Sequence, residues 1–378
     1  MTKNNSKSPI TVVLGLGKSG IGATRLLESE GQKVVVLEKA NQSKLNKISI
    51  GLRKKGINIQ YNKDLSLKSF EDLIPDIASI VVSPGIPWDH KTLNSLRAKG
   101  IKVESEISLA WQRLKNIPWI GITGTNGKTT VTKMLNHVLK ENKIYSLMGG
   151  NVGISATKIA LNCKKQFKGD PKFLIMELSS YQLETLQSIT PKISIWTTFT
   201  PDHLERHKSL NRYFKIKKKL FENSSYSIYN HDDKYLRNVK SNLPPGIWVS
   251  TKGPGLEDFP AKFWINYEGK VCEGNNEILD SVKLNVIGNH NLQNLLLVTA
   301  ASRKIGLKGK EIERSLKSFK GVEHRLEKVG RIDNIDIFND SKATNYDAAI
   351  NALKAIESPS LIIAGGIRKS GEPKFWLE

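Results

Sequence analysis

The chain has 378 residues, of which 39% are hydrophobic and 25% charged, the composition of a globular protein with room for two or three domains. No apolar run approaches the roughly 20 residues that cross a bilayer, and the polar start lacks a signal-peptide core, so we expect a cytoplasmic protein without membrane contact. The net charge of +22 would suit nucleic acid. Because lysine is spread over nearly the whole chain and no nucleic-acid-binding signature occurs, we expect a solvated basic surface instead.

Short β-rich runs alternate with helical stretches over the first 115 or so residues. This alternation is typical of a parallel α/β domain. The predicted strands are 10–14, 33–38, 57–60, 79–83 and 101–104.

A glycine-rich turn follows the first predicted strand. Its sequence GLGKSG, residues 15–20, matches a dinucleotide-binding turn, and Glu38 closes the next strand. Any nucleotide diphosphate can use such a turn with a helix N-terminus and a carboxylate. We therefore predict a nucleotide half-site. The alternative is a turn selected only for close packing of strand against helix.

The sequence IGITGTNGKTT, residues 120–130, joins an apolar strand to a second glycine-rich turn and an amphipathic helix. Unpaired N–H groups at the helix N-terminus favour an anion, Lys128 adds a positive charge, and Thr129 offers a hydroxyl for Mg²⁺. The run therefore predicts a phosphate-binding loop. Ile122 stands where the usual G-x-x-x-x-G-K pattern has glycine, which indicates a distinct sub-family.

The rest of the chain predicts a second α/β domain after a linker at 116–118, and a short third unit. Residues 244–280 mix proline, glycine and short aromatic runs, which favours an antiparallel excursion or a surface meander. Cys163 and Cys272 lack metal-ligand spacing, so we expect reduced thiols. The predicted strands are 173–177, 193–199, 226–230, 335–339 and 361–364, and the predicted helices are 210–222, 290–304 and 346–356.

Two polar clusters follow predicted strands of the second domain. Glu177 ends one strand, where a carboxylate beside a phosphate loop is a natural Mg²⁺ ligand, although it could instead cap a helix. His203 lies in the cluster at 200–207, after the next strand. It could bind metal or phosphate, or be a structural histidine.

An ordered set of motifs resembles the Mur ligases, the ATP-dependent amide-forming enzymes of peptidoglycan synthesis, whose relatives add glutamate to folates. The resemblance implies a three-domain α/β architecture: a Rossmann-like domain at 1–115 for a UDP-linked substrate, a P-loop-type ATP-binding domain at 116–320, and a partial Rossmann-like domain at 321–378 for an amino acid. The motifs are GTNGKTT at 124–130, GGNVG at 149–153, ELSS at 177–180, PDH at 201–203, HNLQN at 290–294, HR at 324–325 and DSKATN at 340–345.

The resemblance also implies roles for individual residues. Lys128, Glu177, His203, Lys217 and Asn151 are the implied catalytic residues. ATP would contact Gly124, Thr125, Asn126, Gly127, Lys128, Thr129, Thr130, Asn291, Asn294, Arg325 and Asp340. Two Mg²⁺ ions would be held by Thr129, Glu177, His203 and Lys217, the last as a carbamate, since its YFKIK context is similar to the family's YxxxK segment. The substrates would contact Lys18, Ser19, Glu38, Ser83, Gly85, Asn151, Lys342, Thr344 and Lys369.

Within the family, GLGKSG and the sequence SPGI at 83–86 are similar to members that join D-glutamate to UDP-N-acetylmuramoyl-L-alanine through an acyl phosphate. We expect these substrates, no nucleic-acid partner and a monomer. The last unit departs from the pattern, because GGIRK at 365–369 lacks the usual acidic residue and the unit is short. We therefore expect the distal loops that hold D-glutamate to be missing. The alternatives are another Mur-type or folylpolyglutamate-type ligase, an NAD-dependent dehydrogenase and a non-catalytic nucleotide-binding protein.

Overall fold

The computed structural model describes residues 9–42, 46–165, 169–187, 189–284, 288–356 and 359–366, with the backbone alone at 46–48. The chain forms two compact units. The first comprises Met1–Ile117, Gly149–Asp170 and Ser179–Ile189, and the second comprises Pro118–Met148, Pro171–Leu178 and Thr190–Glu378. The bounds of the three predicted domains stay predictions.

The elements are as follows, in chain order. The strands are β1 Ile10–Leu14, β2 Lys33–Leu37, β3 Asn58–Gln60, β4 Ile77–Val82, β5 Lys102–Ser105, β6 Trp119–Thr123, β7 Ser146–Gly150, β8 Phe173–Glu177, β9 Ile193–Trp196, β10 Ser227–Asn230, β11 Ile247–Ser250, β12 Gly255–Leu256, β13 Phe259–Pro260, β14 Phe263–Ile265, β15 Lys270–Glu273, β16 Asn276–Asp280, β17 Glu327–Ile332 and β18 Ile335–Asn339. The helices are α1 Lys18–Ser29, α2 Asn46–Arg53, α3 Lys91–Ala98, α4 Glu106–Leu114, α5 Lys128–Glu141, α6 Ala156–Lys164, α7 Ser180–Glu184, α8 Leu204–His207, α9 Leu210–Lys218, α10 Lys234–Asn238, α11 Asn289–Ile305, α12 Gly309–Lys317 and α13 Tyr346–Lys354. None of these helices is long and apolar enough to cross a membrane, within the ranges described.

The first unit is built on a parallel sheet with the strand order β3-β2-β1-β4-β5. This confirms the predicted parallel α/β pattern, with strand ends shifted by one or two residues. The chain moves to opposite sides of β1 when it forms β2 and β4. The crevice beyond the carboxyl ends of β1 and β4 is therefore the expected ligand position in such a sheet.

The second unit is built on a nine-stranded sheet with the order β16-β15-β14-β11-β10-β9-β6-β8-β7. Strand β6 runs parallel to both of its neighbours, β8 and β9. Helix α5 packs against α11 and α12, and the apolar stripe predicted for α5 is fully buried. The ends of β6, β8 and β9 thus share one edge of the sheet, and the phosphate loop leaves from the central one.

The segment 244–280, predicted as an antiparallel excursion or a surface meander, is antiparallel over β12–β13 and β14–β16, but it also adds β11, β14, β15 and β16 to the main sheet. Strands β11 and β14 continue the parallel order from β10, whereas β15 and β16 are added to the sheet in antiparallel pairing, and β12 and β13 form a separate antiparallel pair. The physical reason is burial, because the apolar side chains of Val249, Phe263, Val271 and Leu279 join the hydrophobic core of this unit.

The third predicted unit also differs from expectation. Strand β18 is confirmed, but it pairs with β17 in an antiparallel hairpin whose two-residue turn, Asp333 and Asn334, has positive φ at both positions. The strand predicted at 361–364 is absent. Leu361 and Ile363 are 94% and 97% exposed, and no strand in the described ranges pairs with this segment, so the apolar run lacks the partner that a strand requires.

We predict that Gly20→Ala destabilises the first unit. A Cβ atom at Gly20 would lie 1.9 Å from the backbone oxygen of Gly15, which cannot move without displacing the end of β1. Overpacking of this kind costs about 1–3 kcal/mol. The measurement is the free energy of unfolding in denaturant.

Gly17→Ala is the matched control in the same turn. No atom lies within 4 Å of a Cβ at Gly17, and its φ of −68° suits alanine. Its cost should be limited to a weaker helix N-cap, about 1 kcal/mol or less. Equal destabilisation by the two substitutions would contradict the close approach of α1 to β1.

Candidate active site

The loop 124–127 turns directly from β6 into α5. Gly124 has φ +152°, and a Cβ there would lie 1.9 Å from Thr197 Oγ1. The loop is therefore packed tightly onto the segment that follows β9, where Thr125 N donates to the carbonyl oxygen of Thr198 at 2.8 Å. Glycine at 124 is a requirement of this packing, as expected for a phosphate-binding turn.

Two lysine side chains converge on one carbonyl of the loop. Lys128 Nζ donates to the oxygens of Gly124 at 2.9 Å and Thr125 at 2.7 Å. Lys217 Nζ, on α9, donates to the same Gly124 oxygen at 2.7 Å and lies 4.7 Å from the centre of the Tyr213 ring. Lys217 is only 1% exposed, whereas Lys215 on the same helix is exposed. Lys217, which the resemblance marks as the candidate for carbamylation, is thus the buried lysine of α9.

Burial and like charge act on these two amines together. Desolvation lowers the pKa of Lys128. Desolvation, followed by the nearby charge of Lys128, holds the pKa of Lys217 well below its ordinary value of 10.5. Glu177 and Asp202 oppose both shifts. Burial and like charge thus favour the neutral form of the Lys217 amine.

The predicted Mg²⁺ ligands Thr129 and Glu177 are in contact. Thr129 Oγ1 donates to Glu177 Oε2 at 2.9 Å, and Arg325 Nη2 donates to Thr129 Oγ1 at 3.2 Å. Glu177 is 1% exposed and ends β8. The N-cap of the next helix, α7, is Ser179 with a complete capping box, so Glu177 is not that cap.

These oxygens suit Mg²⁺, which takes one or two protein oxygens and completes its shell with water and phosphate. In the described part of the chain, no group of three or more His, Cys, Asp or Glu side chains forms an all-protein metal cage. A hydroxyl and a carboxylate beside a phosphate loop are the donor set expected for a metal bound together with a nucleotide.

His203 lies in the segment between β9 and α8 with φ +53°. Its Nε2 is 3.5 Å from Asp202 Oδ2, and its Nδ1 is 3.6 Å from Glu205 Oε1. Asp202 acts electrostatically on both Lys128 and Lys217, a role that was not predicted for it. The position of Asp202 beside His203, after an apolar strand, is the sequence signal that could have identified it.

Of the predicted nucleotide-binding residues in the later motifs, Asn294 packs against Gly127 of the loop. Asn294 Nδ2 donates to Asn291 Oδ1 at 3.2 Å, and Asn294 Oδ1 would lie 2.6 Å from a Cβ at Gly127. Asp340 Oδ1 accepts a hydrogen bond from Leu326 N at 3.0 Å, and burial raises the pKa of the Asp340 carboxyl.

Of the remaining C-terminal residues predicted for the site, the structure describes two. Lys342 and Thr344 are exposed. Lys369 lies outside the described residues. Asn345, which was not predicted as a site residue, pairs with Asn126 of the loop.

In the first unit, the predicted substrate residues Lys18 and Ser19 belong to the GLGKSG turn, and Glu38 and Ser83 hydrogen-bond to the backbone in or beside it. Glu38 accepts hydrogen bonds from Leu16 N at 2.6 Å and Ala40 N at 2.8 Å, so its carboxylate braces the turn. Ser83 Oγ donates to Leu14 O at 2.7 Å. The turn therefore serves close packing, which was the alternative interpretation, and also sits at the expected ligand position. Lys18, Gly85 and Asn151 are exposed, and Ser19 is half-buried.

Comparison with family profiles gives two matches. The Mur ligase middle domain matches residues 122–302, which include the phosphate loop, Glu177, His203 and Lys217. The Mur ligase MurD-like N-terminal domain matches residues 9–105, which include the GLGKSG turn.

Sequence relatives cover nearly the whole chain. The UDP-N-acetylmuramoylalanine–D-glutamate ligase of Prochlorococcus marinus (strain SARG) is 55% identical over 377 residues, covering 100% of this chain and 80% of the relative. The enzyme of the same name from Parasynechococcus marenigrum (strain WH8102) is 49% identical over 368 residues, covering 97% of this chain and 80% of the relative.

Solved structures share the fold. UDP-N-acetylmuramate-alanine ligase MurC from Thermotoga maritima has a TM-score of 0.56 at 22% identity, covering 92% of this chain and 77% of that chain. The UDP-N-acetylmuramate:L-alanyl-gamma-D-glutamyl-meso-diaminopimelate ligase of Neisseria meningitides has a TM-score of 0.57 at 18% identity, covering 84% of this chain and 100% of that chain. The profile matches and the relatives establish that the chain belongs to the Mur ligase family.

Proposed function

We propose that this protein joins D-glutamate to UDP-N-acetylmuramoyl-L-alanine in peptidoglycan synthesis, with conversion of ATP to ADP and phosphate. Relatives of 44–55% identity that carry the name of this activity support the assignment. The observation that carries the chemistry is the convergence of Lys128, Thr129 and Glu177 at the carboxyl edge of β6 and β8.

In the first step, the terminal carboxylate of the UDP-linked substrate attacks the γ-phosphorus of ATP. A new P–O bond forms, the bond to the ADP oxygen breaks, and an acyl phosphate results. The loop amides at 124–130 and the Lys128 ammonium offset the negative charge that develops on the transferred group. Asn291, Asn294, Arg325 and Asp340 are the proposed further contacts of the nucleotide.

In the second step, the amine of D-glutamate attacks the acyl carbon. The C–N bond forms, the amine loses a proton, and the C–O bond to phosphate breaks, which leaves the amide. The proposed substrate contacts are Lys18, Ser19, Glu38, Ser83 and Gly85 for the UDP end, Asn151 for the reacting carboxylate, and Lys342, Thr344 and Lys369 for phosphate and the amino acid.

Thr129, Glu177, His203 and a carbamylated Lys217 are the proposed holders of Mg²⁺. When bound, the metal neutralises phosphate charge and orients the transferred group. A cytoplasmic location follows from the proposed use of ATP and a UDP-linked substrate, and the monomeric state remains a prediction.

Lys217 has the chemistry needed for carbamylation. Its neutral amine can attack the carbon of CO₂, forming an N–C bond as one C–O π bond opens to an oxyanion and the nitrogen releases a proton. The product exchanges an amine for anionic oxygens, which Mg²⁺ prefers as ligands. The depressed pKa and the buried position beside Lys128 support this proposal.

A substrate panel tests the proposed function directly. Phosphate release from ATP should require both UDP-N-acetylmuramoyl-L-alanine and D-glutamate, because the acyl phosphate forms only on the first and is consumed only by the second. Turnover with a folate or a dipeptide-bearing precursor instead would assign another member of the ligase class. Tight nucleotide binding without amide formation would indicate a binding protein, and hydride transfer with NADH a dehydrogenase.

A second prediction concerns Lys217→Met. Loss of the proposed metal ligand should lower kcat by about 100-fold or more. Stability should respond differently. Since folding lowers the pKa of Lys217, the unfolded chain binds more protons at this group, and the contribution of Lys217 to the free energy of unfolding should rise with pH up to about 10.5. Lys217→Met should reduce this slope in CO₂-free buffer.

Lys215→Met is the control for this substitution, because Lys215 is exposed on the same helix. It should retain the activity and the pH slope of the wild type, as measured by denaturant unfolding at a series of pH values. The assignment of Lys217 fails if the two variants behave alike.

A further inference from the structure

The phosphate loop is joined to the C-terminal segment by a pair of side-chain amides. Asn345 Nδ2 donates to Asn126 Oδ1 at 3.0 Å, and Asn126 Nδ2 donates to Asn345 Oδ1 at 3.4 Å. The backbone of Asn126 is itself held, because its N–H donates to Thr198 Oγ1 at 2.9 Å and its carbonyl accepts from Thr197 Oγ1 at 2.5 Å. These hydrogen bonds fix the backbone position from which the Asn126 side chain reaches Asn345.

Asn345 has a second task at the start of α13. Its Oδ1 accepts a hydrogen bond from Ala348 N at 2.9 Å, so the same side chain caps the helix. No residue of α13 is buried. Most of its residues are half-buried, and the amide pair lies at its N-terminal end.

A second polar link, between Arg325 and the start of α5, is of a different kind. Arg325 donates to Thr129, and both side chains are groups that a bound phosphate or Mg²⁺ would engage. The Asn126–Asn345 pair is neutral, and each of its amides both donates to and accepts from the other. It can persist whether or not the loop holds a nucleotide.

We propose that Asn345 is a positioning residue that fastens the segment 340–345 to the phosphate loop through Asn126. The segment carries Asp340, Lys342 and Thr344, so the pair fixes where these side chains stand relative to the transferred phosphate. The inference rests on the proposed ligase function and extends it. Asn345 acts on the amino-acid half-reaction through position, without touching the nucleotide.

The substitution Asn345→Ser removes the pairing with Asn126 while it keeps the cap of α13. Serine is a good N-cap but is too short to reach Asn126. We expect about a tenfold loss of kcat/KM for D-glutamate, the effect of one or two hydrogen bonds, with the ADP dissociation constant changed by less than about twofold. Asn345→Ala, which removes the cap as well, should be more impaired than the serine variant.

A double-mutant cycle with Asn126→Ser tests whether the two residues act as a pair. If they do, Asn126→Ser combined with Asn345→Ser should be no worse in kcat/KM for D-glutamate than the more impaired single variant. Additive losses would overturn the proposal. A tenfold weaker ADP affinity in Asn345→Ser would also overturn it, because that result would make Asn345 a nucleotide ligand.

Hydrogen exchange provides a readout that does not require turnover. Amides of Tyr346–Lys354 should exchange faster in Asn345→Ser and in Asn126→Ser than in the wild type, since either change releases α13 from the loop. If hydrogen exchange is unchanged in both variants, the pair does not hold α13 to the loop, whether or not the enzyme is active. A wild type that fails to use D-glutamate would reject the proposed function, and exchange would still decide on the pair.

Discussion

The candidate site depends on one backbone carbonyl, that of Gly124, which accepts hydrogen bonds from both Lys128 and Lys217. Burying two like charges at one acceptor costs free energy, because both lose hydration and they repel each other. One amine must therefore lose its proton, or the site must gain negative charge. Glu177 and Asp202 supply part of that charge. A bound nucleotide and a carbamate at Lys217 would supply more. The same cluster therefore favours a neutral amine at Lys217 and is also well suited to bind anions.

The order of strands creates this arrangement. Strand β6 lies between β8 and β9, so the phosphate loop, Glu177 and the segment containing Asp202 and His203 all emerge at one edge of the sheet. The first unit has a similar arrangement in a smaller sheet, because its glycine-rich turn follows the central strand β1 beside the end of β4. Each unit thus offers a nucleotide-sized anion a helix N-terminus and a glycine-rich turn.

Much of this could be predicted from the sequence because the signals are local. Buried parallel strands appear as short apolar runs, and the loop 124–130 is recognisable from its glycines and Lys128. The failures involve partners distant in the chain. Asn345 pairs with a residue 219 positions away, and no local pattern marks that contact. The strand expected at 361–364 had the right composition but no neighbouring strand, and β17 was missed although Asp333 and Asn334 form the kind of turn that joins hairpins.

The central claim is that this loop activates a carboxylate by phosphorylation. The most direct measurement uses UDP-N-acetylmuramoyl-L-alanine labelled with ¹⁸O in its terminal carboxylate, with ATP and D-glutamate, followed by mass analysis of the released phosphate. The account predicts one ¹⁸O atom in each phosphate, because the carboxylate oxygen that attacks the γ-phosphorus leaves with it when the amide forms. Phosphate without the label, released alongside the amide, would contradict the account.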